Sequence, residues 1–149
     1  MATFFVNPDG SADFTTILAA IEAASAGDII VVAAGTYLEN LLIDKAVTIQ
    51  GAQAGVAGTG VGRDAAGGVG ETTIVGLSKI TASGAVTIDG VRFLNDDSTT
   101  GGGLADPTLQ VASGQNHVIT NSIFYSAVNG AANGVNDIAI DFTVPPRGP

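Results

Sequence analysis

The chain has 149 residues, with 14 Asp and Glu against five Lys and Arg, and no cysteine. The net charge of −9, with no basic cluster, argues against nucleic acid as a partner, because neutralising phosphates needs several cations on one face. The lack of cysteine excludes disulfides, zinc–thiolate sites and thiol catalysis.

Hydrophobic residues make up 46% of the chain but aromatics only 5%, so the core must come from Val, Ile, Leu and Ala. Twenty-one glycines point to many tight turns and short strands rather than a helical bundle. At 13% charged, the surface must rely on Ser, Thr, Asn and Gln, a habit that suits extracellular β-solenoids. No apolar run is long enough to cross a bilayer, so membrane insertion is not expected. The start, Met1-Ala2-Thr3-Phe4-Phe5, has no basic segment followed by a long apolar stretch, so no Sec-type signal peptide is visible.

In chain order, Phe4 to Val6 reads as a first strand and Asn7-Pro8-Asp9-Gly10 as a turn. Phe14, Ile17, Leu18, Ile21 and Ala24 have one-sided helical spacing, which predicts a helix over about 14–25, with Asp13 as N-cap and Gly27 as stop. Ile29 to Val32 reads as a buried strand, followed by strands at Thr36 to Ile43 and Ala46 to Gln50. Residues 51–71 are rich in Gly and Ala, with Arg63-Asp64 their main charged feature, and read as a long loop excursion. Strands resume at Thr72 to Val75, Lys79 to Ala82 and Ala85 to Phe93. A polar loop from Asn95 to Pro107 precedes strands at Thr108 to Ala112 and His117 to Phe124. Two Asn-Gly pairs mark a turn before a last strand, Ile138 to Val144, and Pro-rich residues 145–149 read as a tail or linker start.

One pattern recurs. Val47-Thr48-Ile49-Gln50-Gly51 returns as Val86-Thr87-Ile88-Asp89-Gly90, and His117 to Phe124 lines up more loosely with Val86 to Phe93. Recurrence at roughly thirty to forty residues predicts stacked supersecondary units rather than one closed sheet.

Phe14-Thr15-Thr16-Ile17, Ala20-Ile21-Glu22-Ala23-Ala24, Gly27-Asp28-Ile29-Ile30-Val31 and Gly35-Thr36-Tyr37-Leu38-Glu39-Asn40 follow in order. Together they resemble the opening of pectin lyase-like right-handed parallel β-helix proteins. The resemblance covers nearly the whole chain, most tightly Asp9 to Gly51. It implies an all-β fold: a right-handed parallel β-helix, or solenoid, in one domain over 1–144, with an N-terminal amphipathic capping helix. It says little about activity, since lyases, esterases, hydrolases and surface proteins share this fold.

Gly35-x-Tyr37-x-Glu39 resembles a motif near the start of pectin methylesterases. The Gln-Ala-Val, Asp-Phe-x-Phe-Gly and Gly-Arg-Pro-Trp segments that carry that family's catalysis are missing. Gly35 is therefore read as a turn, Tyr37 as packing on the cap, and Glu39 as a solvated or ladder-forming carboxylate. Asp89, Arg92, Asn95, Asp96 and Asp97 are the nearest approach to a lyase-like site, but the lyase-type Arg-x-Pro-x-x-Arg is absent. On an uninterrupted strand Asp89 and Arg92 would point to opposite faces. Asp96 and Asp97 are the metal candidates, with calcium as the ion their oxygens would take. The Gly-His-Gly and Arg-Ile-Lys motifs of polygalacturonases are missing too.

His117, the only histidine, has no triad partner at a readable spacing and reads as a half-exposed strand residue. Gly58-x-Gly60-x-Gly62 lacks the Lys-Ser/Thr of a phosphate loop. Asn40, Asn95, Asn116 and Asn121 are candidates for Asn stacking at turns between units.

No catalytic signature is found, and none of these residues is assigned to catalysis or to an organic cofactor. The expected function is a non-enzymatic structural or assembly module, the N-terminal β-helix domain of a secreted or surface protein, exported by a non-classical or type I route. It would form a homo-oligomer or filament through its open end, with Ile138, Ile140, Phe142 and Val144 at the interface. The alternatives are a glycan-binding module with a polysaccharide partner, or a truncated pectate lyase- or pectinesterase-like enzyme.

Overall fold

In a computed structural model of the chain, the described residues are 1–59, 63, 70–96, 109–127 and 140–142. They form thirteen strands and one short helix: β1 (Thr3–Val6), α1 (Ile17–Ala23), β2 (Ile29–Val32), β3 (Gly35–Leu38), β4 (Leu42–Ile43), β5 (Thr48–Gln50), β6 (Thr72–Val75), β7 (Ser78–Ile80), β8 (Thr87–Asp89), β9 (Val91–Asp96), β10 (Leu109–Val111), β11 (Val118–Thr120), β12 (Ile123–Ala127) and β13 (Ile140–Phe142). Of residues 138–144, the last expected strand, only 140–142 are described, so Ile138 and Val144 lie outside the described residues.

The strands make three parallel sheets, ordered β1-β2-β5-β8-β11, β3-β6-β9-β12 and β4-β7-β10-β13. From β2 onward each strand pairs with the strand three places later, so three consecutive strands form a tier with one member in each sheet. Parallel neighbours need a crossover between them, and here the other two strands of the tier supply it.

The recurrence in the sequence is the register of the first sheet. Thr48, Ile49 and Gln50 pair with Thr87, Ile88 and Asp89, which pair with Val118, Ile119 and Thr120. The third copy continues into the next sheet, where Ile123 pairs with Arg92 and Phe124 with Phe93. Like residues therefore stack at the strand spacing. Ile30, Ile49 and Ile88 form one buried ladder, Tyr37, Ile74 and Phe93 a second, and Ile43, Ile80 and Val111 a third. All belong to one core cluster with Ile17, Ala20, Ile21 and Ala24 of the helical segment. Each fully buried aliphatic side chain contributes about 1.5–3 kcal/mol.

Some boundaries differ from expectation. The helix begins at Ile17, because the Phe14 backbone is held beside β1: its N–H donates to Phe5 C=O and its C=O accepts from Asn7 N–H. Thr16, not Asp13, is the N-cap, its hydroxyl accepting from Ala19 N–H at 3.3 Å, while Asp13 accepts from Phe5 N–H at 2.9 Å. The helix ends at Ala23, and Gly27 turns the chain further on with φ +92°. Ile29 to Val32 alternates rather than being buried throughout: Ile30 and Val32 face the core and their neighbours are half-buried. The expected strand over Thr36 to Ile43 is two strands in different sheets, and so are those over Ala85 to Phe93 and His117 to Phe124. The last two bend at Gly90 (φ +72°) and Asn121 (φ +50°), the left-handed conformation that Gly and Asn adopt most readily.

Candidate functional site

Two regions, the helix-capped end of the core and the row of bends between the first and second sheets, hold most of the polar groups that the sequence singles out. At the first end, α1 leaves backbone N–H groups without intrahelical partners. Ile17 and Leu18 N–H each donate to a different oxygen of Glu39, both at 2.9 Å. Lys45 donates from Nζ to the carbonyls of Ile21 (2.9 Å) and Glu22 (2.8 Å) near the other terminus. A carboxylate at the N-terminus and an ammonium at the C-terminus match the polarity of the helix. Glu39 is thus half-buried and bonded to backbone N–H groups rather than to a side-chain ladder; it fastens the helix. Tyr37 is buried and its hydroxyl donates to Ala33 C=O at 3.0 Å. Burial first, then the negative fields of Glu39 and Asp9, push its phenol up to about 12. Asp28 accepts from Ala2 N–H (2.6 Å) and Ser25 N–H (2.8 Å), and these bonds hold its carboxyl below the usual range.

Along one side of the stack the bends between the first and second sheets lie on one another. A Cβ on Gly51 would collide with Gly90 C=O, and one on Gly90 would collide with the Gln53–Ala54 backbone. Only glycine permits this approach, which is why both copies of the recurrent segment end in it. The first part of the excursion lies against these bends. Asp89 accepts from Gly55 N–H at 3.2 Å and from Asn121 Nδ2 at 2.7 Å.

Arg63 lies at the centre of this region. Its Nε and Nη2 make a bidentate pair with Glu71 at 2.6 and 3.0 Å, and Nη1 donates to Asn121 C=O (2.7 Å) and Val56 C=O (2.5 Å). The pair is fully buried, with side-chain exposures of 1% and 0%. From the sequence, Arg63 is only the main charge, with Asp64, of a Gly- and Ala-rich loop. The available signal was a lone Arg in a Gly- and Ala-rich stretch that ends at a Glu.

Asp89 and Arg92 are separated by the bend at Gly90, so strand alternation does not govern them as expected. Asp89 is held as above, and Arg92 is buried, with Nη1 3.3 Å from Thr73 Oγ1. Asn40 accepts from Leu77 N–H in the next tier at 3.0 Å, and Asn121 reaches Asp89. These side chains link tiers individually and do not stack as an Asn ladder. Asn116 takes a positive φ of +60°. Asp96, the last residue of β9, pairs with Ala127 through the backbone, whereas Asp97 lies outside the described residues. Among the described residues no three His, Asp or Glu are grouped to hold a metal ion.

The last tier is less covered than those before it. Ile119 and Phe124 continue the inward ladders, and Phe124 stacks on Phe93 at 5.1 Å between ring centroids and 6° between planes. Both are only partly buried, while Ile88 and Phe93 one tier earlier are 1% exposed. Val118 N–H and Thr120 C=O face β8, so alternation turns the Ile119 N–H and C=O to the edge where the described strand order stops. Val118 itself is 46% exposed. In the third sheet β13 closes the strand order, with Ile140 and Phe142 in register with the buried Leu109 and Val111.

Compared with protein-family models, with curated proteins and with solved structures, the chain matches none. Among the described residues no helix is long and apolar enough to cross a membrane.

Proposed function

We propose that the chain is a right-handed parallel β-helix of the pectin lyase-like kind, a non-enzymatic assembly module that associates with further copies of itself through its last tier. One observation supports this reading: the apolar ladders are covered by α1 at one end but reach the other with Ile119 and Phe124 only partly buried, beside a strand edge that no other described strand pairs with. An edge with free N–H and C=O groups accepts another strand, and partly exposed apolar ladders add hydrophobic drive to that pairing. A second copy satisfies both. The low charge of the surface fits a secreted or cell-surface setting.

Light scattering with electron microscopy, with and without calcium, tests the proposal. A defined oligomer or filament that dissociates in Val118→Lys supports it, because an edge lysine blocks strand addition. A monomer under both conditions refutes it.

A further inference from the structure

We propose that His117 is a pH-sensitive clasp that fastens the last tier to the one before it. Its two ring nitrogens face groups of fixed character. Val86 N–H lies 3.0 Å from Nδ1 and can only donate. Ser113 C=O lies 2.8 Å from Nε2 and can only accept. One form of the ring meets both demands: the neutral tautomer with its proton on Nε2 and a lone pair on Nδ1.

Protonation places a second N–H at Nδ1, directly opposite the N–H of Val86. Two donors then confront each other, and the ring or the strand must move. The ring has little room to turn. Gly114, with φ +92°, packs so close that an added Cβ would lie 2.5 Å from Nε2. The turn is also pinned by Ser113 Oγ, which donates to Thr81 C=O at 2.6 Å. Val86 C=O accepts from Val118 N–H at 2.9 Å, so the clasp and a β8–β11 ladder bond meet at the same residue. Loss of one weakens the other.

Among the described residues no charged side chain is bonded to the ring. Residues 81–86, which lead into β8, and residues 112–116, which lead to the histidine, carry no charged side chain. Asp89, at the far end of β8, is bonded to Gly55 and Asn121. Asp44 and Lys45 belong to the preceding tier, where Lys45 holds the helix carbonyls. The inference holds whether or not the last tier meets another copy.

Amide exchange followed by NMR, normalised for intrinsic chemistry, tests the clasp. As the pH is lowered until the ring 15N shifts report a doubly protonated imidazole, protection at Val86 and Val118 is expected to fall at least about threefold. Thr48, which donates to Asp28 C=O between the first two tiers, is the control and should not change. His117→Asn offers an oxygen near the Nδ1 position that cannot titrate, so its Val86 protection should be independent of pH. Ring 15N shifts of the unmutated protein provide a readout that does not depend on any variant folding. A proton on Nε2 at neutral pH supports the clasp. A proton on Nδ1, unchanged protection across the range, or the same loss in His117→Asn overturns it.

Discussion

Helix α1 lies over one end of the core with both its termini held by side chains from β3 onward, whereas the final tier presents Ile119 and Phe124 half-exposed. The ladder residues hardly change between these ends: Ile30, Ile49, Ile88 and Ile119 occupy equivalent register positions. Burial in a stacked fold is thus decided by what lies beyond a residue as well as by its own strand. The polar fastenings differ in the same sense. Glu39 and Lys45 close the first end, while Arg63, Asp89 and His117 tie the last tier back to the body.

The largest test breaks the second set of fastenings. Arg63→Met removes the guanidinium that faces the buried Glu71 carboxylate and should cost about 3–5 kcal/mol, read from the urea midpoint. Replacing both, as Arg63→Met with Glu71→Leu, should recover most of that loss. If the single variant is neutral, Arg63 does not hold the excursion to Asn121.

The second test compares equivalent positions along one ladder. Ile88→Ala should cost about 2–5 kcal/mol, the usual price of a cavity in a closed core. Ile119→Ala should cost less, because part of its side chain is already in water. Equal losses would mean that the last tier is as closed as the third.

A smaller effect is expected at the helical end. Glu39→Ala removes the acceptor for Ile17 and Leu18 N–H and should cost about 1–3 kcal/mol, with loss of helical circular dichroism. Glu39→Gln, which keeps one acceptor oxygen, should lie between this variant and the parent protein.

The smallest is a pH effect at Asp28. Its folded-state pKa is lowered by bonds from Ala2 and Ser25. The stability it adds is therefore complete above the unfolded carboxylate value of about 3.9 and is lost as pH falls through the folded value. Urea midpoints measured on the acid side of about pH 5 should fall less steeply in Asp28→Asn than in the parent. Parallel slopes would show that other carboxylates govern the acid limb.

Much of the architecture is legible in the amino acids. The repeated Val-Thr-Ile segment marks strands by its β-branched residues, and its recurrence corresponds to the observed register. Gly90 and Asn121 mark bends, although reading continuously through them merged pairs of strands that belong to different sheets. The polar fastenings were much harder to see. By local pattern Glu39 is a solvated or ladder-forming carboxylate, Arg63 a loop charge and His117 a half-exposed strand residue.

The division has a physical cause. Side-chain alternation, β-branching and the conformational freedom of glycine act between near neighbours, so the sequence determines where strands run and where they turn. The fastenings join groups distant along the chain: Glu39 and Ile17 are 22 residues apart, His117 and Val86 31, and Arg63 and Asn121 58. No local pattern encodes such pairs. Tertiary stacking decides them, because it brings one tier's backbone donors and carbonyls within reach of another's side chains and leaves the last tier with no described strand beyond its edge.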